Sequence, residues 1–457
     1  MMGNIGLRLL VLGLIVWGLS NSPAAAGEAP PGPLSLKGAL ALAWKNNPNL
    51  QVSRLEALIA GDEVTRARSG FLPQVKAQVS QTIYDDPVKL RIGGGLPTPG
   101  GATLAFPLTN RNFWGSQVTL EQTLFDFGAT PSRYQAAVQG LAATRLDTAK
   151  VGDDVFLLVS QGFFRVLRAE KLVIVARQEV TQLEDHLRIA RNLYEGGVAT
   201  YNDVLQAEVA LSDARQRLII ADNDVVNLKG ALNKLLGLPI AAATPLKDEA
   251  DLAAPGSALP QATREALDRR ADLKAADKRI KQGEKAVTTA RSGYFPRLFA
   301  QAGQTWQQND LYLHDTQYFA IFGMQWSLFN GLDTRAQVSQ AHHRLAQLKV
   351  RHQDLSEQVR LDVQNAYLGL KETGDRIQVT KGAVGQGEEN RRLNEERYQE
   401  QVGTATDVID AQTLLTRARV NYFNALYDHQ MAKAQMLWAV GAINQLLGQG
   451  EQGNAQK

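Results

Sequence analysis

Apolar and polar residues alternate along four stretches of this chain. Between Phe71 and Ile83, Val75, Ala77, Val79 and Ile83 fall on one side, and Gln74, Lys76, Gln78, Ser80 and Thr82 on the other. Further on, Trp114, Val118, Leu120 and Leu124 oppose Gln117, Thr119, Glu121 and Thr123. Leu298, Ala300, Ala302 and Trp306 form a third apolar row. Tyr318, Phe322, Met324, Trp326 and Leu328 form a fourth, which Phe319 and Ile321 interrupt. A period of two is that of a strand with one wet face. Strands are therefore expected at about 71–84, 112–127, 294–307 and 316–329.

After each strand pair the period changes. No proline follows Pro131 before Glu195, so 129–195 can run as one helix of roughly 100 Å at 1.5 Å per residue. Its counterpart starts near Leu332. Return helices follow, with apolar or small residues at alternating three- and four-residue steps. These are Val204, Ala207, Leu211, Ala214 and Leu218 in one, and Val408, Ala411, Leu415, Ala418 and Tyr422 in the other. Such seams belong to coiled coils. The expected hairpins span 129–236 and 332–447. Shorter helices over 36–70 and 259–293 lead into the strands through Ser-Gly-aromatic-x-Pro.

The elements come twice in one order. Ala67-Arg68-Ser69-Gly70-Phe71-Leu72-Pro73 is echoed by Ala290-Arg291-Ser292-Gly293-Tyr294-Phe295-Pro296, an offset of 290 − 67 = 223. Leu124-Phe125-Asp126 returns as Leu328-Phe329-Asn330, and Val198–Glu208 as Val402–Gln412, both at 328 − 124 = 204. The first copy thus holds 223 − 204 = 19 extra residues, within the Gly- and Pro-rich stretch 85–110, which reads as a surface loop. The domain reading is a first repeat over 27–236, a connection over 237–258, a second repeat over 259–447 and a flexible tail over 448–457. Missing a repeat of this kind mis-assigns the whole fold.

Composition narrows the class. Arg8, the apolar run Leu9–Leu19 and Ala24-Ala25-Ala26 form an expected secretory signal over 1–26. The chain has no cysteine, which removes disulfides, thiolate metal sites and lipidation at an N-terminal cysteine. A formal charge of +3 over 457 residues gives no nucleic-acid footprint. The six histidines do not group as a metal site, Gly93-Gly94-Gly95 lacks the surroundings of a phosphate loop, and no nucleophile has a base. The residues call for no cofactor and no enzyme.

Each expected strand is slightly longer than the 9–11 residues that cross a bilayer at a tilt. Aromatics collect at the strand ends, including Trp114, Phe125, Trp306, Tyr318, Trp326 and Phe329, as in the interfacial girdles of membrane barrels. A soluble half-buried sheet is the competing reading. Four strands cannot close a barrel, and open edges are not tolerated in lipid. If the strands meet lipid, several chains must share one barrel, and three chains would supply twelve strands.

The duplicated helix–strand–strand–helix–helix order, Leu124-Phe125 and Leu328-Phe329 at the strand-to-helix junctions, and Tyr398 to Gln412 together resemble the TolC family of outer membrane factors. The resemblance spans almost the whole mature chain. It implies a mainly α protein with membrane β-structure: a homotrimer whose twelve-stranded barrel in outer membrane lipid continues into a long periplasmic α-helical barrel. It implies an exit duct for an efflux pump or type I secretion system, joined through a periplasmic adaptor (a membrane fusion protein) to an inner membrane transporter of the RND, MFS or ABC type. It places an entrance ring of carboxylates at Asp407 and Asp410, entrance-closing contacts at Tyr398 and Asp203, and adaptor-facing hairpin tips at Gly196, Gly197, Gly403 and Thr404. The family's closing arginine corresponds to Gly403, so another group would have to replace it; Arg397 is the nearest in sequence. Without the resemblance, Asp407 and Asp410 read as a capped, solvated helix start. A periplasmic adaptor or a structural coiled-coil protein of the cell envelope is the alternative function.

Overall fold

The computed structural model describes residues 32–92, 104–248, 251–253, 256–311 and 313–447. The expected signal, the Gly93-Gly94-Gly95 run and the expected tail lie outside the described residues.

Each copy opens with two helices where one was expected. Helices α1 (Leu36–Asn46) and α2 (Pro48–Arg68) meet at Asn47, whose ψ is 124°. Pro48 disfavours a helical conformation at the residue before it. The Asn47 side chain then caps α2, accepting from the Asn49 and Leu50 N–H groups at 3.0 and 3.3 Å. In the second copy α5 (Leu259–Arg269) and α6 (Ala271–Arg291) break at Arg270, with ψ 128° and no proline. Arg270 is buried, bound to Asp272 at 2.6 Å and to Asp362 at 2.8 Å, and lies over the Trp438 ring. Here tertiary pairing holds the break.

Four strands form one antiparallel sheet in the order β1 (Gln74–Ile83), β4 (Asn112–Phe125), β5 (Arg297–Gln307), β6 (Thr316–Gln325). Part of the expected loop over 85–110 is itself a small hairpin, β2 (Lys89–Ile92) with β3 (Leu104–Pro107). The register aligns the apolar rows: Val75 faces Leu120, which faces Ala302, which faces Ala320. On that face Val75, Val79, Ile83, Val118, Leu120, Tyr318, Phe322 and Met324 are all exposed. The other face carries Gln78, Gln117, Thr305 and Gln317 in register. Phe319 and Phe299, which lie on this polar face, sit opposite Gly303 and Gly323. A Cβ on Gly303 would fall 2.8 Å from the Phe319 ring, and one on Gly323 2.5 Å from the Phe299 ring. The rings fill space that only glycine leaves, which is how aromatics protect glycines in sheets. This explains the broken alternation at Phe319.

Past the strands the chain turns through consecutive left-handed residues: Phe127 and Gly128 in one copy, Gly331 and Leu332 in the other. Asp126 then accepts from the Thr130 N–H at 2.7 Å, and Asn330 donates to the Thr334 hydroxyl at 2.7 Å. Helices α3 (Ala129–Glu195) and α7 (Asp333–Gln399) follow, each of 67 residues. The return helices are α4 (Tyr201–Leu236) and α8 (Ala405–Ala439).

The largest core lies at mid-height of the long helices. Phe156, Phe163 and Phe164 of α3 are fully buried there against Leu40 of α1, Leu236 of α4, Met436 of α8 and Ile443. Burying each such side chain contributes about 2–3 kcal/mol, so this belt is the main tertiary anchor of helices that otherwise touch only their neighbours. The connection over 237–258 belongs to the belt. Leu34 donates to Pro245 at 2.8 Å, and Leu238 and Leu252 are buried. Helix α8 stops at Ala439, short of the expected 447, because Gly441 turns left-handed (φ 70°) before a short 3-10 turn over Ile443–Leu447. Gly237 ends α4 in the same way, also at φ 70°.

Both glycines supply a conformation that costs an L-residue about 1–2 kcal/mol, but their surroundings differ. A Cβ on Gly237 would lie 2.6 Å from the Asn46 carbonyl oxygen, whereas on Gly441 the nearest atom is 3.2 Å away. Gly441→Ala is expected to lower stability by about 1–2 kcal/mol, and Gly237→Ala by clearly more. Urea unfolding midpoints of the detergent-solubilised variants measure the order; equal midpoints would contradict it.

Candidate channel entrance and membrane belt

The two ends of the long helices carry different chemistry. At the sheet end, Trp114 opens β4, Trp306 lies near the end of β5 and Tyr318 near the start of β6. They share one rim, since Ser116 faces Trp306 and Gln304 faces Tyr318. Phe125 closes β4 at the opposite rim. Eleven positions separate Trp114 from Phe125, which strict alternation would put on opposite faces. The register slips between Thr123 and Phe125, leaving Leu124 without a partner on β5. This bulge returns Phe125 to the apolar face. Eleven steps at about 3.3 Å span about 36 Å, or about 28 Å at a 40° tilt, close to the ~25 Å apolar band of outer membrane barrels. Trp326 and Phe329 fall beyond the end of β6, where the Trp326 Nε1–H donates to the Tyr294 carbonyl at 3.1 Å. Phe127 stacks on Phe295 at 4.9 Å beside them.

The far end consists of two tips. Gly196 to Thr200 joins α3 to α4, and Glu400 to Thr404 joins α7 to α8. The left-handed residue is Gly197 in the first tip and Gln401 in the second. Gly403 is not left-handed; its N–H donates to the Arg397 carbonyl at 3.0 Å, and a Cβ there would lie 3.2 Å from the Arg397 Cβ. An arginine at this position would press on Arg397. Arg397 itself is exposed and makes no ion pair among the described residues.

Both return helices begin with a capping box. The Thr200 N–H and hydroxyl donate to Asp203 at 3.0 Å each, and the Asp203 N–H donates back at 3.3 Å. Thr404 and Asp407 repeat this at 2.9, 2.8 and 3.2 Å. The Thr404 amide and hydroxyl hold the Asp407 carboxyl below its usual range. Asp407 is thus occupied as a cap, whereas Asp410 is exposed and has no hydrogen bond or ion pair among the described residues. Between the tips, the Thr406 hydroxyl donates to Gln206 at 3.0 Å.

Tyr398 and Asp203 are not joined by a hydrogen bond. Asp203 caps its helix, and Tyr398 is 5 % exposed with its hydroxyl buried and unpartnered. Burial and the Asp203 charge both push the Tyr398 phenol upward. Its ring packs on His186 of α3 at 5.3 Å, beside Ala405, Val408, Ile189 and Leu193. The sequence reading passed over His186, although its place among Leu183, Leu187 and Ala190 marks it as a seam residue. Higher up, matched pairs align each hairpin: Arg215–Glu184 at 2.7 Å and Arg419–Glu388 at 2.8 Å, 204 positions apart. Exposed pairs of this kind contribute little energy; they fix the stagger of the helices.

Among the described residues no cluster of His, Asp and Glu could hold a metal, and no helix is long and apolar enough to cross a membrane.

Comparison with known proteins agrees with this architecture. The chain is 24% identical over 425 residues to the outer membrane efflux protein BepC of Brucella suis, covering 90% of this chain and 86% of that one. It is 22% identical over 412 residues to the outer membrane protein TolC of Vibrio cholerae, covering 88% and 90%. The crystal structure of the Campylobacter jejuni CmeC outer membrane channel superposes with a TM-score of 0.77 at 16% identity, over 92% of this chain and 88% of that one. The family described as outer membrane efflux protein matches residues 39–238 and 262–442, one block for each copy. This chain belongs to the outer membrane efflux protein family.

Proposed function

We propose that three copies of this chain form a passive exit duct through the outer membrane and periplasm. The observation that carries the reading is a four-stranded sheet with one exposed apolar face and two unpaired edges, β1 and β6. Such a sheet is stable in lipid only if its edges pair elsewhere. Pairing β6 of one copy with β1 of the next closes a ring, and three copies make a barrel of twelve strands.

The helices support the same rule independently. In the second copy α6 packs on both α7 and α3, and α8 likewise. In the first copy α2 and α4 pack on α3, and the other side of each is open. That side is apolar and exposed: Val52, Leu55 and Leu58 on α2, and Ile219, Ile220 and Val226 on α4. Helix α7 offers exposed Val350, Leu361 and Val379. Continuing the internal repeat sets α2 and α4 of one copy on α7 of the next. A periplasmic adaptor or a coiled-coil scaffold would leave the apolar sheet face unexplained.

The duct moves no cargo by its own chemistry. A periplasmic adaptor docking at the tips, and an inner membrane transporter of the RND, MFS or ABC type, would supply recognition and energy. At the tips Asp410 is the free carboxylate, and Asp407 stands one helical turn before it. Three copies place these groups around one opening, where carboxylate rings select cations and can be blocked by them.

The protein in detergent should have the mass of three mature chains; a stable monomer would overturn the shared barrel. In single-channel recordings Asp410→Ala should weaken block by a multivalent cation such as hexaamminecobalt. Asp407→Ala should in addition speed amide hydrogen exchange in the first turn of α8. Unchanged block in both variants would reduce Asp407 to its capping role and Asp410 to a solvated surface residue.

A further inference from the structure

Beside the Thr406–Gln206 hydrogen bond and the apolar packing around Ala405 and Val408, the contact between the two hairpin tips buries polar atoms that have no partners. His186 is 4 % exposed, and its Nε2 has no hydrogen bond. The Tyr398 hydroxyl against which it packs has none either. Gln182, one turn along the same face of α3, leaves its Oε1 equally unpartnered. Buried polar groups without partners are rare, and each needs an explanation. His186 and Tyr398 meet where α3 faces the end of α7, and Gln182 lies one turn away on α3.

We propose that His186 is a proton-binding residue that holds the two hairpin tips together when neutral and releases them when charged. A neutral imidazole can be buried against a tyrosine ring at modest cost. The cationic form carries two N–H donors and must have acceptors or water. Among the described residues, the only open acceptors in this packing, the Gln182 Oε1 and the Tyr398 hydroxyl oxygen, are not hydrogen-bonded to the ring, and no carboxylate is hydrogen-bonded to it or paired with it. The charged and titratable groups of the neighbouring elements are few. From α4 comes Asp203, whose carboxylate is bound to Thr200. From α7 come Tyr398 and, next to it in sequence, the exposed Arg397, with the Arg391–Glu395 pair further along, closed on itself at 3.2 Å. From α8 come Ala405 and Val408, its Asp407 being tied to Thr404. On α3 itself the nearest charges are the exposed pair Asp185–Arg188. Protonation therefore requires hydration of the pocket, which separates the α7–α8 tip from the α3–α4 tip. The corresponding residue of the second copy is Asn390, at the 204 offset, so one seam of the two is titratable.

The sign follows from burial. Desolvation drops the packed imidazole from its ordinary 6.5 to about 4, with the Asp203 charge opposing in part. The packed tip is fully favoured above pH 6.5. It loses ground as the pH falls below that value and has lost all of this contribution below about 4. At pH 5 the ratio of packed to separated tips should be about 30-fold lower than at pH 7.5.

Distances between spin labels test this in the full-length protein. Val198→Cys and Val402→Cys put one label on each tip, at exposed positions in a chain with no other cysteine. Labelled chains are diluted with unlabelled ones so that a single pair is read per assembly. Lowering the pH from 7.5 to 5 should raise the ratio of long to short distances about 30-fold. In His186→Phe and His186→Gln the ratio should change less than twofold, and Tyr398→Phe should keep the response. A distance distribution that ignores pH in the wild-type background, or one that shifts as much in either His186 variant, would overturn the proposal. This readout needs neither conduction nor a trimer, so its failure is separate from failure of the exit-duct reading.

Discussion

Every backbone N–H and C=O must find a partner where there is no water. That constraint decides what this chain can be. Its sheet presents an apolar face about as tall as a membrane's hydrocarbon layer, yet ends in two strands with one bare edge each. No rearrangement within one chain pairs β1 with β6, because β4 and β5 lie between them. In lipid an isolated monomer would leave both edges bare, and the proposed closure by further copies would pair them.

The duplication supplies the means. Each copy gives two strands, one long helix and one return helix, and the second copy shows how a unit sits on its neighbour. Equivalent residues do equivalent work at fixed offsets: Gly237 and Gly441 end the return helices, and Thr200 and Thr404 cap them. The mid-height belt around Phe156, Phe163 and Phe164 ties both copies to the connecting segment. It leaves the helix ends, sheet and tips, to be shaped by what they meet. The tips differ between copies: Gln206 stands where the second copy has Asp410, and His186 where it has Asn390. The two hairpins of one chain thereby carry two kinds of seam.

Much of this was legible in the sequence because it depends on period. Alternation over Val75–Ile83 and the prolineless run to Glu195 state strand and helix directly, and offsets of 204 and 223 state the repeat. Features held by tertiary contacts were not. The break at Arg270 rests on Asp362, ninety-two positions away, and the interruption at Phe319 rests on Gly303 across a strand pair. The Asn47–Pro48 break did have a local signal, which the strong flanking helix pattern masked. At the entrance, the sequence located the right turns, but the contacts depend on geometry. Asp203 turns to its own cap, Tyr398 turns to His186, and a single histidine in a seam has no sequence signature beyond its spacing.

The central claim, that strand β6 of one copy completes the sheet of the next, is open to direct test because the chain contains no cysteine. Gln78→Cys on β1 can be combined in turn with Gln317→Cys, Phe319→Cys or Ile321→Cys on β6, all on the polar face. Directly opposed residues of paired strands have Cβ atoms about 5 Å apart, close enough for oxidation to a disulfide. At least one pair should give covalent dimers and trimers on a non-reducing gel, with nothing larger. A ladder that runs past three chains, or only uncrosslinked monomer for every pair, would contradict the account.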